Sequence, residues 1–228
     1  MWQIISNSVL ISFPALFSIV NPPGASLIFL QLVSGRPRND VVRLARQVAL
    51  SSFFLLVVSI WVGRWLLVFF GVSLDALRVA GGLVVAVRAW ALLQSPEVVE
   101  ARREQQAMQK NQMVTAPSLG DMAFFPLTMP FTVGPGSIAV AIALSSGYPH
   151  SQMLAGNIGI VIASAGVCLM VWAGYTWAET LTRFLGVTGT RVVSRLSALI
   201  LLCIGVQIIS TGISGFVSGL IAEISQAK

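Results

Sequence analysis

Four stretches of the chain run without a charged residue: 1–35, 122–149, 151–178 and 196–222. Each exceeds the ~20 residues that an α-helix needs to cross the hydrocarbon core of a bilayer. Within them apolar residues follow one another continuously, whereas the strands of an outer-membrane barrel alternate apolar and polar positions. The pattern predicts six spans, over residues 4–33, 48–70, 74–93, 122–146, 153–177 and 192–220. Arg64, Arg78 and Arg88 lie in or beside the second and third. Arg64 stands in Trp61-Val62-Gly63-Arg64-Trp65, where a long cationic side chain between tryptophans snorkels to the interface. The expected fold is all-α and polytopic.

Composition agrees. The 228 residues are 56% hydrophobic and 10% charged, with a mean hydropathy of +0.85, against roughly 25% charged residues in soluble domains. Soluble, disordered and disulfide-stapled classes are excluded. The net charge of +6 comes without a basic stripe interleaved with aromatics, so nucleic acid is not an expected partner; the lipid bilayer is. The basic residues instead set orientation. Arg36, Arg38, Arg43, Arg46, Arg88, Arg102, Arg103, Lys110, Arg183, Arg191 and Arg195 fall on one side, and Arg64, Arg78 and Lys228 on the other. The positive-inside rule puts the first group in the cytoplasm and both termini outside. The N-terminal stretch has no basic region ahead of it and reads as a first span, not a signal peptide. Cys168 and Cys203 fall inside apolar runs without CxxC spacing, as small buried side chains do.

The chain also repeats itself. Shifted by 112 positions, Phe13-Pro14 falls on Phe125-Pro126, Pro23-Gly24 on Pro135-Gly136, Leu32 on Leu144, Ser34-Gly35 on Ser146-Gly147 and Pro37 on Pro149. Three spans per copy means that the copies insert with opposite topology, the 3+3 inverted repeat of many secondary transporters. Repeat 1 is residues 1–94, the cytoplasmic linker 95–117, with a solvated helix in it, and repeat 2 residues 118–228.

Candidate chemistry sits where the copies coincide. Asn21-Pro22-Pro23-Gly24 and Val133-Gly134-Pro135-Gly136 lie mid-span in the first and fourth apolar runs. Proline lacks an amide hydrogen and glycine tolerates unusual backbone, so both helices are expected to break there. Broken backbone at bilayer depth survives only where protein or a cavity covers it. Unpaired amides at the start of each second half-helix then favour an anionic group such as a carboxylate. The candidate substrate-binding residues are Asn21, Pro22, Pro23, Gly24 and Ser26 at one break, and Thr132, Gly134, Pro135, Gly136 and Ser137 at the other. Pro23 and Pro135 belong in the first turn of the second halves.

No Asp or Glu lies deep in a span, which disfavours a proton pump built on buried carboxylates. A coupling ion would rest on carbonyls and hydroxyls at the breaks, which suits Na+ better than a carboxylate relay, and coupling to Na+ or protons is not required. Gly212-Ile213-Ser214-Gly215 has the form of an intramembrane serine-protease motif, but the sole histidine, His150, lies in an exterior loop and a serine nucleophile needs a base. No enzyme activity, metal or cofactor is expected. Gly212, Gly215 and Gly219 form a small-residue face for helix packing. Gln207 either packs against a neighbouring helix or lines a pathway.

Several of these stretches together resemble the MarC family of bacterial inner-membrane proteins. They are Asn21-Pro22, Leu77-Arg78-Val79-Ala80-Gly81-Gly82, Pro126-Leu127-Thr128-Met129-Pro130, Thr132-Val133-Gly134-Pro135-Gly136-Ser137, Ser194-Arg195-Leu196 and Cys203-Ile204-Gly205-Val206-Gln207. The resemblance implies a six-span plasma-membrane protein with outside termini. It also implies kinship with LysE-type exporters and with transporters of small neutral amino acids such as alanine and glycine. The expected function is transport or export of a small neutral amino acid or similar zwitterion, the alternatives being a passive channel or a non-transporting membrane scaffold.

Overall fold

The computed structural model describes residues 1–33, 35–94, 119–149 and 151–226. Among them every regular element is helical. α1 covers Trp2–Val20, α2 Pro22–Leu32, α3 Arg38–Phe69 and α4 Leu74–Gln94. A short α5, Leu119–Met122, runs into a π-helical segment, Ala123–Thr132. α6 is Pro135–Ser146, α7 Met153–Thr176 and α8 Ala178–Gln226. The expected linker helix and His150 lie outside the described residues.

Among the described residues four helical stretches are long and apolar enough to cross a bilayer: Trp2–Ser26, Arg38–Phe69, Met153–Thr176 and Arg195–Ile221. The third expected span corresponds to α4, and the fourth is divided between the π-helical segment and α6. Two boundaries differ from the apolar pattern. α3 begins at Arg38 rather than residue 48, because its first turns are amphipathic: Arg43 and Arg46 are exposed while Leu44, Ala45, Val48 and Ala49 are buried. α8 begins at Ala178 rather than residue 192 and bends at Gly186 (φ 63, ψ 178), a conformation that glycine adopts without penalty.

The core lies between α1, α2, α3, the π-helical segment, α6 and α7, and includes Leu16, Phe29, Leu44, Leu56, Ile60, Leu127, Val133, Ile160, Val171 and Tyr175. Phe54, Trp65, Phe69, Leu169 and Phe184 point outward, each more than half exposed. Such an apolar exterior needs lipid around it.

α4 and α8 approach closely over glycine. A Cβ on Gly82 would stand 2.8 Å from Gly205 O, and one on Gly205 2.7 Å from Ala86 N. Gly212 faces Asp75 O at 2.8 Å and Gly215 faces the Asp75 carboxylate. Of the expected packing face, Gly219 takes no part; nothing lies within 4 Å of its Cβ position. Cys168 is buried and free, whereas Cys203 is free but exposed, because its face of α8 points away from α4.

Candidate functional site

The first break falls at one residue. Asn21 takes φ 49, ψ 61, the left-handed region that Asn visits more readily than most residues. Its N–H donates to Phe17 O at 2.8 Å and its carbonyl accepts the Ala25 N–H at 2.9 Å. Its Oδ1 accepts the Gly24 N–H at 3.3 Å, so Asn21 caps α2. A Cβ on Gly24 would lie 2.5 Å from Asn21 Nδ2, which is why glycine follows. Pro22 and Pro23 have no amide hydrogen to offer. Ser26 Oγ donates to Pro22 O at 2.6 Å. The amides expected to be open at this break are therefore absent or engaged: two are prolines and the third is capped.

The second break is longer and differently made. Phe125 (φ −124, ψ 120) and Met129 (φ −119, ψ 122) leave the helical region, each directly before a proline, Pro126 or Pro130, which disfavours helical backbone in the residue ahead of it. Three contacts reach back five residues and hold the widened turns: Thr128 Oγ1 to Ala123 O at 2.7 Å, Thr132 Oγ1 to Leu127 O at 2.7 Å and Val133 N–H to Thr128 O at 2.9 Å. Val133 (φ −117, ψ 93) and Gly134 (φ −90, ψ −179) are then extended. α6 starts with Pro135 at its first position and has no side-chain cap. The Ile138 N–H closes the first turn on Gly134 O at 3.2 Å. Gly136 and Ser137 are buried, and their amides and the Ser137 hydroxyl have no hydrogen-bond partner among the described residues.

Gly136 and Ser137 belong to the lining of a cavity of about 40 Å³, with Thr132, Gly134 and Pro135, Ile19 of α1, Val84 and Val85 of α4 and Leu201 of α8. A space of that size holds one or two waters or the head of a carboxylate, not a whole amino acid. Gly81 and Gly136 allow the close approach of α4: a Cβ on Gly81 would lie 2.5 Å from Ala139 Cβ, and one on Gly136 2.6 Å from Val85 Cγ2. Of the ten candidate residues, the five at the second break line this cavity, and the five at the first do not.

Sequence reading overlooked the group that joins the two breaks. Tyr175, near the end of α7 and 1% exposed, stacks on Phe29 of α2 with ring centroids 4.2 Å apart. Its hydroxyl meets Thr132 Oγ1 at 2.8 Å. Thr132 is thus engaged on both sides, by Leu127 O and by Tyr175. Nothing in the local sequence marks Tyr175, since its role depends on α2 and the π-helical segment meeting α7. Among the described residues no three His, Cys, Asp or Glu side chains gather as a metal site.

The family model for "MarC family integral membrane protein" matches residues 6–217. The chain is 31% identical over 209 residues to the UPF0056 membrane protein YhcE of Escherichia coli (strain K12), covering 92% of this chain and 93% of that protein. It is 30% identical over 203 residues to the UPF0056 membrane protein YvbG of Bacillus subtilis (strain 168), covering 89% and 92%. It is 28% identical over 201 residues to the UPF0056 inner membrane protein MarC of Citrobacter koseri, covering 87% and 90%. No solved structure matches the chain.

Proposed function

Since the chain belongs to the MarC family of integral membrane proteins, we propose that it is a secondary transporter or exporter of small neutral amino acids or similar zwitterions, seated in the inner membrane as a 3+3 inverted repeat with both termini outside. The observation that carries the reading is the pair of amides of Gly136 and Ser137, buried residues at a helix start, which have no partner among the described residues. Amides and the helix dipole at such a start bind a carboxylate, and discontinuous helices in transporters present this arrangement at mid-bilayer. Relatives named as inner membrane proteins support the location.

In this reading the cavity of about 40 Å³ is the closed form of the site. The carboxylate enters first, and room for the rest of the solute comes from separating α4 and α6 where Gly81 meets Ala139 and Gly136 meets Val85. Each contact has a glycine on one side, so the helices can part and re-form there with little repacking.

Uptake of labelled alanine or glycine into proteoliposomes, across a panel of neutral amino acids, tests the proposal. Gly136→Leu puts a branched side chain against Val85 and across the two amides. Overpacking of about 1–3 kcal/mol against the closed site corresponds to a loss of uptake of roughly fivefold to a hundredfold. Wild type and Gly136→Leu protein indistinguishable over the whole panel would sink the transport reading. Flux without counterflow acceleration would move it to a passive facilitator.

A further inference from the structure

A larger groove accompanies the cavity at the second break. This groove, of about 520 Å³, is walled by the same four helices, among them by Ser18 of α1, Arg78 of α4, Val140 and Ala143 of α6, and Gln207 and Thr211 of α8. The register along each helix is consistent. The small cavity touches Ile19, Val85, Ser137 and Leu201, and the groove touches Ser18, Arg78, Val140 and Gln207, the next residue on α1 and about one to two turns further along α4, α6 and α8. From Leu201 to Thr211 the α8 axis rises about 15 Å, half of the ~30 Å hydrocarbon core. The groove thus extends from beside the break toward the end of the bundle at which α4 begins and α8 ends.

The wall of the groove is mostly aliphatic, with Arg78 the one cation among its lining residues. An arginine beside a spanning helix is expensive unless it serves a partner or a water-filled space. Arg78 donates through Nη1 to Asp75 Oδ1 at 2.9 Å, one turn back on α4. Asp75 in turn packs on Gly215 of α8. That contact fixes one corner of the guanidinium, and its other N–H donors have no partner among the described residues. Gln207, exposed on α8, adds a neutral donor and acceptor pair on the facing wall. A volume of this size falls in the usual range for small-molecule sites, which are mainly apolar with a few placed polar groups.

We propose that this groove is a water-filled vestibule in which a small carboxylate-bearing solute is first held, and that Arg78 is the residue that draws the carboxylate toward the Gly136 and Ser137 amides. The inference deepens the transport reading and rests on it for the solute. Arg78 supplies the long-range attraction that a pair of backbone amides cannot, and Asp75 holds the guanidinium against the α4–α8 seam rather than letting it snorkel out. The aliphatic remainder of the wall tolerates a small neutral side chain and disfavours a second charge.

Charged thiol reagents test this without knowledge of the solute. The full-length protein, with Cys168 and Cys203 replaced by alanine, carries Ala143→Cys or, on the opposite wall, Ser18→Cys, and is reconstituted in liposomes. It is treated from the water phase with the anionic sulfonatoethyl and the cationic trimethylammonioethyl methanethiosulfonates. Both reagents are expected to modify both cysteines, the anion at least about threefold faster relative to a free thiol. Arg78→Gln removes that preference and Arg78→Lys keeps it. Cysteines that neither reagent reaches would mean a groove filled by lipid, and would overturn the vestibule. Equal rates for the two reagents, or a preference surviving Arg78→Gln, would overturn the role of Arg78. Labelling as expected together with no amino acid flux would leave the vestibule standing and remove the amino acid reading alone.

Discussion

The two helix breaks occupy matching positions in a repeated sequence, yet one is closed and the other open. At the first, a single left-handed residue turns the chain, its own side chain caps the new helix, and two prolines leave no further amide to satisfy. At the second, Val133 stands 112 positions from Asn21 and has no polar group to cap with. The helix start shifts one residue, to Pro135, and two amides remain free. The same proline–glycine pair thus makes a rigid elbow in one copy and a candidate binding surface in the other. What decides is whether the residue just before the prolines carries a capping oxygen.

The comparison breaks most visibly at Asn21. Asn21→Leu forces a branched residue into left-handed backbone, about 1–2 kcal/mol, and removes a cap worth about 0.5–2 kcal/mol. Thermal unfolding in detergent should register a loss of roughly 1.5–4 kcal/mol, the sum of those two effects. Asn21→Gly keeps the backbone and loses only the cap, so most of the stability should remain. Uptake per folded molecule should change little in Asn21→Gly. A selective loss of uptake there would make the first break part of the binding surface after all.

The converse change closes the second break. Gly134 is the residue ahead of α6 and has ordinary extended backbone (φ −90, ψ −179), which asparagine adopts freely. Gly134→Asn offers Oδ1 to the Ser137 N–H as Asn21 does to Gly24. It should stabilise the protein by roughly a few tenths of a kcal/mol while lowering uptake several-fold, because the cap competes with the solute for the same amide. Higher stability with unchanged uptake would separate those amides from transport.

Much of this arrangement is readable along the chain, and the reason it fails in places is specific. Continuous apolar runs and paired Pro-Gly positions are local signals, so the helical class and both break positions follow from them. The amphipathic start of α3 escapes a pattern that looks for uncharged residues, since Arg43 and Arg46 interrupt it while Leu44 and Val48 still face the core. The engaged amides at the first break were legible in principle, because Pro22 and Pro23 announce two missing donors and Asn21 is a capping residue. What no local pattern holds is the tertiary geometry: Tyr175 against Thr132, or Arg78 and Gln207 on facing walls of one groove.

Tyr175 measures how strongly the two breaks are tied. Thr132→Val removes the contacts to Leu127 O and Tyr175, and Tyr175→Phe removes the second while keeping the stack on Phe29. Each should destabilise by about 1 kcal/mol. The double mutant should fall short of their sum by 0.5 kcal/mol or more, roughly the least coupling expected of residues in direct contact. Strict additivity would mean that the elbow and the open break move independently.

The smallest effect distinguishes two serines that sit three or four residues after the breaks. Ser26 Oγ is committed to Pro22 O at 2.6 Å and packs against Gly174; Ser137 lines the cavity, and its hydroxyl has no partner among the described residues. A hydroxyl bonded back to the carbonyl of the preceding turn adds little to helix stability, so Ser26→Ala should shift unfolding by no more than about 0.5 kcal/mol and leave uptake as it was. Ser137→Ala should be equally quiet in unfolding, yet raise the apparent KM several-fold, since it deletes a donor that only a bound solute uses. Reading both mutants by unfolding and by uptake separates the breaks on side chains of one kind. If Ser26→Ala moves KM as much as Ser137→Ala does, the solute touches both breaks, and the closed hydrogen bonds at the first belong to one state of a transport cycle rather than to a fixed elbow.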